Sequence, residues 1–566
     1  MRLGIFLSSL LVLIGCSGAS KTPAVPDLTY KLTPVFEGTQ TRLNVELTFT
    51  GEADGITDIR RGGRWGRDDK AGQRFRDLSV SASGGRAKFQ GLLNQPMLTI
   101  AHDPNAELTI TYSLSSDDMD DASTDIEYFY VPVLQPAVIH LIGSTSLVVP
   151  MPETSGQAYN VDIRWEGLPK NWRQANTLPD RPISNGEITS SVFVAAPSES
   201  LSHVSGTYEL DILKSGTHAF SHEDFKNKMV EIFEGQTALW KSAQSKYLIS
   251  LLGTPESANY SAFTGTGRFN SFTSAASPDI DLNFLVRFLS HEVAHNWMPS
   301  KLGKWPGCDE GDSCPPKISW FSEGFTDFVM SRAMLAEGRW TQADLVKFTN
   351  QYLRDYYRSP AKTAKGHDID KLFWKDFEHE RQPYWRGFIM AMNWDAEIKR
   401  NSDGKRKAMD VLRDMYETAK ATEDDRPVLT QDYIAQAFSY EAGRDVLGDV
   451  KQFYNEGGEL NPHANLFPGC AELGSASAFT YDVGFDAQAT LGSGIVSGVA
   501  EGHNASKAGL KNGQSLVAKV SGGGGNTTVP LVLEVQESGK NLAISYLPVS
   551  GEPVMVPHFE MTGDCL

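Results

Sequence analysis

One run of ten residues constrains this chain more than any other: Phe288-Leu289-Ser290-His291-Glu292-Val293-Ala294-His295-Asn296-Trp297. Two histidines four apart share a face only on a helix, where both imidazoles reach one ion and Glu292 stands beside them to take a proton from water. Such a helix must also bury an apolar face, and Leu282, Phe284, Leu285, Phe288 and Leu289 supply one. Ser277-Pro278-Asp279 reads as its start, with serine at the cap and proline at the first helical position. Pro299 reads as its stop, because proline has no N–H and disfavours helical geometry at Met298.

A catalytic zinc takes three protein ligands and keeps one position open. The third candidate is Glu323, in Trp320-Phe321-Ser322-Glu323-Gly324-Phe325-Thr326. Twenty-seven residues separate it from His295, so it has to come from a second helix packed beside the first. Asp327, one turn later, is placed to hydrogen-bond a ligand histidine. In this arrangement Glu292 is general base and then general acid, and Tyr384, in Pro383-Tyr384-Trp385-Arg386-Gly387-Phe388, is the candidate donor to an oxyanion. His367, His379 and His503 have no second ligand at usable spacing and read as surface residues.

At 566 residues the chain exceeds a single core, and three folded units are expected. Residues 1–16 read as a lipoprotein signal peptide: Arg2, an apolar run from Leu3 to Ile14, and Leu13-Ile14-Gly15-Cys16, which resembles a bacterial lipid-attachment site with Cys16 as the acylated residue. Ser17 after the cysteine favours the outer membrane, so the expected location is the bacterial cell envelope, lipid-anchored, at the outer membrane or periplasm-facing. Residues 17–26 form a linker. Residues 27–215 read as strands, with strict alternation in Leu43-Asn44-Val45-Glu46-Leu47-Thr48-Phe49, and predict a β-sandwich-like domain. Residues 216–465 turn helical and hold the catalytic candidates. Residues 470–566 are Gly- and Val-rich; Gly494-Ile495-Val496-Ser497-Gly498-Val499 and Ala508-Gly509-Leu510-Lys511-Asn512-Gly513 look like parts of a PDZ domain, which binds extended peptides at a sheet edge. The fold class expected is therefore multidomain α+β. With Cys16 set aside, four cysteines remain; of three possible pairings, Cys308–Cys314 and Cys470–Cys565 are favoured, the first closing an acidic loop and the second bracketing the last unit. A formal net charge of −18 opposes nucleic-acid binding.

Taken together, H-E-x-x-H-x-W, W-F-S-E-G-F-T, the Pro383–Phe388 segment, the β-rich N-terminal part and the PDZ-like end resemble the glycyl aminopeptidase family of zinc peptidases. These are gluzincins, with a thermolysin-like catalytic domain and a relationship to the aminopeptidase N family. The resemblance implies one zinc ion held by His291, His295 and Glu323, with Glu292 as catalyst and Tyr384 as oxyanion donor. One departure concerns the substrate. Where the family carries a glutamate that holds the α-amine, this chain has Gly265-Thr266-Gly267-Arg268-Phe269-Asn270, with no carboxylate. Gly265 and Gly267 still suit backbone pairing with a peptide, and Arg268 is a candidate partner for a substrate carboxylate. The expected function is zinc-dependent hydrolysis of peptide bonds outside the cytoplasm, aminopeptidase-like without the amine-binding acid; the partners are a peptide or protein substrate, the membrane through the lipid, and a peptide ligand of the PDZ-like unit. The alternative is a catalytically weak or inactive peptide-binding lipoprotein that uses the PDZ-like unit.

Overall fold

The structure is a computed structural model and describes residues 27–566 apart from 39, 63–73, 116–127, 152–156, 207, 243–245, 255–262, 307–317, 423–424, 524, 564 and 566. Cys16 and the expected Cys308–Cys314 pair lie outside the described residues. The N-terminal part is built of strands because its apolar residues recur with period two. In Gln40–Thr50 buried and outward positions alternate along almost the whole strand. That strand sits inside a five-stranded sheet in the order Val161–Trp165, Leu28–Glu37, Gln40–Thr50, Glu107–Ser115, Phe75–Ala82. Two four-stranded sheets, one centred on Ile56–Arg60 and Met97–His102 and one on Val192–Pro197 and Val138–Ile142, share its core. Leu32 and Leu47 of the first sheet, Ile59 and Ile100 of the second, and Ile139 and Phe193 of the third pack together there.

A further five-stranded sheet runs Leu201–Ser205, Glu209–Lys214, Lys246–Gly253, Ser271–Ala276, Phe263–Arg268. Its three inner strands are parallel and its two outer strands antiparallel to their neighbours. Both faces are covered. Leu213, Leu248, Leu252 and Ala275 point to the N-terminal sheets, while Ile212, Ile249, Leu251 and Phe272 point to the helices. Burial on both faces is why Tyr247-Leu248-Ile249-Ser250-Leu251-Leu252 reads as an almost unbroken apolar run. This sheet crosses the expected boundary at 215/216, since Glu209–Lys214 pairs in parallel with Lys246–Gly253. Parallel pairing through an intervening helix, His222–Trp240, leaves no local turn signal, so the break in pattern near Ser221 marks a helix start rather than a domain edge.

The region beyond is mainly helical, with Leu282–Ala294, Phe325–Ala336, Gln342–Arg358 and Phe377–Asn401 around the candidate site. Residues 470–566 divide in two. A long ribbon of Ala471–Tyr481 and Val549–Met561 lies on the helix Gln342–Arg358, where Asn350 Nδ2 donates to the Phe559 carbonyl at 2.9 Å and Phe559 N–H donates to Asn350 Oδ1 at 2.8 Å. The Cys470–Cys565 disulfide, expected from the sequence, closes its base. Beyond the ribbon, Ser515–Ser521, Leu531–Glu537 and Lys540–Tyr546 form a three-stranded sheet with its own small core of Val496, Leu510, Leu533, Val535 and Ile544. Among the described residues, no helix is long and apolar enough to cross a membrane.

Candidate metal centre

The histidine-bearing helix spans Leu282–Ala294, and its N-cap is Asp281, whose carboxylate accepts the Phe284 N–H at 2.8 Å. The expected start at Ser277 is corrected: Ser277 Oγ donates to Asp279 Oδ1 at 2.7 Å and so serves the turn before the helix. The helix also ends earlier than Pro299, with His295 as its C-cap. His295 turns its Nδ1 to the Met298 carbonyl at 3.0 Å, a bond made possible by the turn that follows. Leu285, Leu289 and Val293 are buried and fix the helix rotation, which brings His291 and His295 to Glu323 and sets Glu292 in the adjoining cavity.

Glu323 arrives on a second helix, as its distance in sequence requires, but on a wide π turn, Trp320–Gly324, that runs into Phe325–Ala336. Trp320, Phe321 and Phe325 are fully buried and anchor this turn. Gly324 meets Gly387 of the helix Phe377–Asn401 so closely that a Cβ on Gly324 would lie 2.3 Å from the Gly387 Cα, and one on Gly387 would lie 1.9 Å from the Trp320 carbonyl oxygen. The crossing of these two glycines sets Tyr384, one turn before Gly387, beside the Glu323 turn. Its ring stacks on His291, with centroids 5.9 Å apart and planes 26° from parallel.

Three atoms converge. His291 Nε2 and His295 Nε2 are 3.1 Å apart, and Glu323 Oε2 lies 3.5 Å from the first and 3.4 Å from the second. The outer nitrogens settle the tautomers. His291 Nδ1 donates to Asp327 Oδ1 at 2.8 Å and His295 Nδ1 to a carbonyl, both groups that only accept, so each neutral ring turns a lone pair toward the centre. Asp327 is itself held by the Tyr352 hydroxyl at 2.5 Å, and the second oxygen of Glu323 accepts from Ser322 Oγ at 2.9 Å. Three acceptors that face one another at these distances are stable only with a cation or shared protons between them, and the group is one that could hold a metal ion. Ligand bonds of roughly 2.0–2.2 Å at tetrahedral angles give edges of about 3.3–3.6 Å, close to the triangle seen here. The donor set therefore fits a zinc ion held by His291, His295 and Glu323.

The carboxylates around the two histidines also favour a proton on each ring, which a bound zinc would displace. Burial opposes a charge on His291, yet Asp327, Glu323 and Glu292 together raise its hold on a proton well above the ordinary histidine range. Burial pushes the Glu323 carboxyl up, and the two histidines outweigh it and keep it well below the usual glutamate range. Glu292 is raised, first by burial. Burial and then the Glu323 carboxylate hold the Tyr384 phenol well above its ordinary value, so it remains an O–H donor.

The strand Phe263–Arg268 is the outer strand of its sheet, and among the described residues no strand pairs with its far edge. Phe263, Gly265 and Gly267 share the face that looks to the histidine helix: Phe263 packs edge-on to Phe288 at 4.5 Å, and a Cβ on Gly265 would strike the Phe272 ring at 2.4 Å. Gly267 has nothing within 4 Å of such a Cβ. Arg268 is not where the sequence placed it. Thr266 and Arg268 alternate to the opposite face, and the Arg268 guanidinium lies 5.8 Å from the Tyr130 ring on the N-terminal side, away from the metal centre. Burial lowers its pKa to about 10. Of the other histidines, His367 is exposed as expected. His503 is not a surface residue: its side chain is only 7% exposed, and its ring caps Asn504–Lys507 by accepting the Ala505 N–H at 3.1 Å. Tyr352 and the Met298 carbonyl were not legible in the sequence, since both reach the histidines through tertiary packing alone.

Comparison of the sequence with family models and with curated proteins finds no match. Among solved structures, the chain is similar to an aminopeptidase N family protein from Idiomarina loihiensis, with a TM-score of 0.63 and 15% identity, over 93% of this chain and 97% of that one. At that identity the likeness is one of fold: the chain has a multidomain α+β, aminopeptidase N-like architecture.

Proposed function

We propose that this chain is a zinc-dependent metallopeptidase that hydrolyses peptide bonds outside the cytoplasm, a distant relation of the glycyl aminopeptidases. The observation that carries the reading is the triangle of lone-pair atoms from His291, His295 and Glu323, with each histidine oriented by an acceptor behind it. Zinc held there supplies a Lewis acid that polarises a carbonyl and acidifies water. Glu292, next to His291 in a cavity of about 160 Å³, takes the proton from the attacking water and returns it to the leaving nitrogen. Tyr384 donates its O–H to the developing oxyanion. An extended peptide pairs with the open edge of Phe263–Arg268. No carboxylate in Gly265–Asn270 holds an α-amine, so a free N-terminus is not the group this site selects. In this account Cys16 carries the lipid, and the outer strand Lys540–Tyr546 of the C-terminal sheet offers an edge to a second peptide.

Zinc analysis combined with digestion of peptide mixtures having free or acetylated N-termini tests the proposal. One zinc per chain is expected, with cleavage of both kinds of peptide and a loss of roughly 10²–10⁴-fold in Glu292→Gln. Bound zinc with turnover indifferent to Glu292→Gln would show the mechanism wrong, and cleavage of free N-termini alone would show the substrate argument wrong.

A further inference from the structure

Two arginines reach the cavity beside Glu292 from different helices. Arg287 is one turn before His291 and so on its face; Arg381 is one turn before Tyr384 and on its face. Both line the same cavity as His291, Glu292 and Tyr384. Each guanidinium rests against a ring, Arg381 at 4.0 Å from Tyr384 and Arg287 at 6.0 Å from Phe284. Neither lies within ion-pair distance of a carboxylate among the described residues. Of the acids at the cavity, Asp327 has one oxygen on His291 and the other on Tyr352, and Glu292 is the proposed base. Asp327 and Glu380 act on Arg381 through space, yet neither arginine makes a close ion pair among the described residues, so two permanently charged forks keep donors for a ligand in a partly enclosed space.

The strand direction says which part of a substrate passes them. Phe263, at the start of the edge strand, touches Phe284 and Phe288, at 5.9 and 4.5 Å, and both of these line the arginine cavity. A peptide added antiparallel to the strand, the more stable pairing and the one the strand makes with Ser271–Ala276, runs against the direction Phe263 to Arg268. Its C-terminal half therefore lies at the Phe263 end, on the arginines. A wider trough of about 740 Å³ shares Phe284, Arg287, Phe348 and Gln351 with this cavity and leaves room for the chain beyond.

Resting on the peptidase reading, we infer that Arg287 and Arg381 bind a carboxylate on the leaving-group side of the scissile bond and so set specificity. That carboxylate is the side chain of an aspartate or glutamate just after the bond, or the terminal carboxylate of a short leaving group. Matched peptides decide between these sources: glutamate against glutamine after the cleaved bond, and free acid against C-terminal amide. One of the two pairs is expected to show a preference of about tenfold or more in kcat/KM, carried by KM. Arg287→Gln and Arg381→Gln should each shrink that ratio toward one, and Arg381→Lys should restore part of it, since lysine keeps the charge and loses the fork. Binding of the same peptides to zinc-loaded Glu292→Gln gives the ratio without turnover. Equal binding and equal kcat/KM within both pairs would overturn the inference. Glu292-dependent cleavage without carboxylate preference refutes the arginine pocket alone; carboxylate-selective binding without any cleavage supports the pocket and refutes the peptidase reading.

Discussion

Asp327 offers a sharp test of how the centre is held. The residue is 4% exposed; one carboxylate oxygen takes the His291 Nδ1 proton at 2.8 Å and the other takes the Tyr352 hydroxyl at 2.5 Å. With the Nδ1 proton pinned, the Nε2 lone pair of His291 has to point at Glu323 and His295. Asp327→Ala removes that restraint and lets the ring turn or change tautomer. Loss of a partner of this kind lowers metal affinity about 10–100-fold, or roughly 1.4–2.7 kcal/mol. It also strands a buried Tyr352 hydroxyl, at a cost of about 1–3 kcal/mol to the fold. Asp327→Asn keeps an acceptor for His291 and loses only the charge, so its affinity should fall between those of wild type and Asp327→Ala. Zinc titration against a chromophoric chelator gives the affinities, and thermal unfolding of the metal-free proteins gives the stabilities. An Asp327→Ala protein that binds zinc as tightly as wild type would refute the reasoning, because His291 would then be oriented by something else.

Three further outcomes follow from particular contacts. Tyr384→Phe keeps the stack on His291 and loses the hydroxyl, so kcat should fall about 10²–10³-fold with zinc content retained; an unchanged kcat would remove Tyr384 from the chemistry. Gly387→Ala puts a Cβ 1.9 Å from the Trp320 carbonyl oxygen, and the helices can separate only by moving the Glu323 turn, so a loss of about 1–3 kcal/mol in stability together with weaker zinc binding is expected from melts and titration. His140 is fully buried against Thr273 at 3.1 Å, and burial lowers its pKa from 6.5 to about 3. The fold favours its neutral form, so its contribution is complete above pH 6.5 and declines as pH falls from there toward 3, by at most roughly 5 kcal/mol. His140→Gln should therefore flatten the fall of Tm between pH 6.5 and 4, and an identical slope in the two proteins would place the acid-sensitive group elsewhere.

What was legible in the sequence was local. His291, Glu292 and His295 declare themselves because a four-residue spacing has one meaning on a helix, and Glu323 follows from an aromatic-flanked acid at a distance that forces a second helix. The alternating strands of 27–215 are legible for the same reason. Misjudged features depended on pairing or packing. Ser277 and Asp281 are equally good caps by type, and only the Phe284 N–H decides between them. Arg268 and Gly267 are neighbours in sequence and opposite in space, because the register with Ser271–Ala276 assigns the faces. The sheet that runs across residue 215 was not legible because a parallel pair is closed by a helix rather than a turn. Arg287 was within reach of sequence reasoning, one turn before His291; Arg381 needed the Gly324–Gly387 crossing to bring its helix alongside.

X-ray absorption at the zinc edge of the purified, zinc-loaded protein tests the central claim most directly. The predicted spectrum is that of two imidazole nitrogens and carboxylate or water oxygens at about 2.0–2.2 Å, with one imidazole contribution lost in His295→Ala. A sulfur contribution near 2.3 Å, or a spectrum unchanged by His295→Ala, would contradict it, because the ion would then lie somewhere other than among His291, His295 and Glu323.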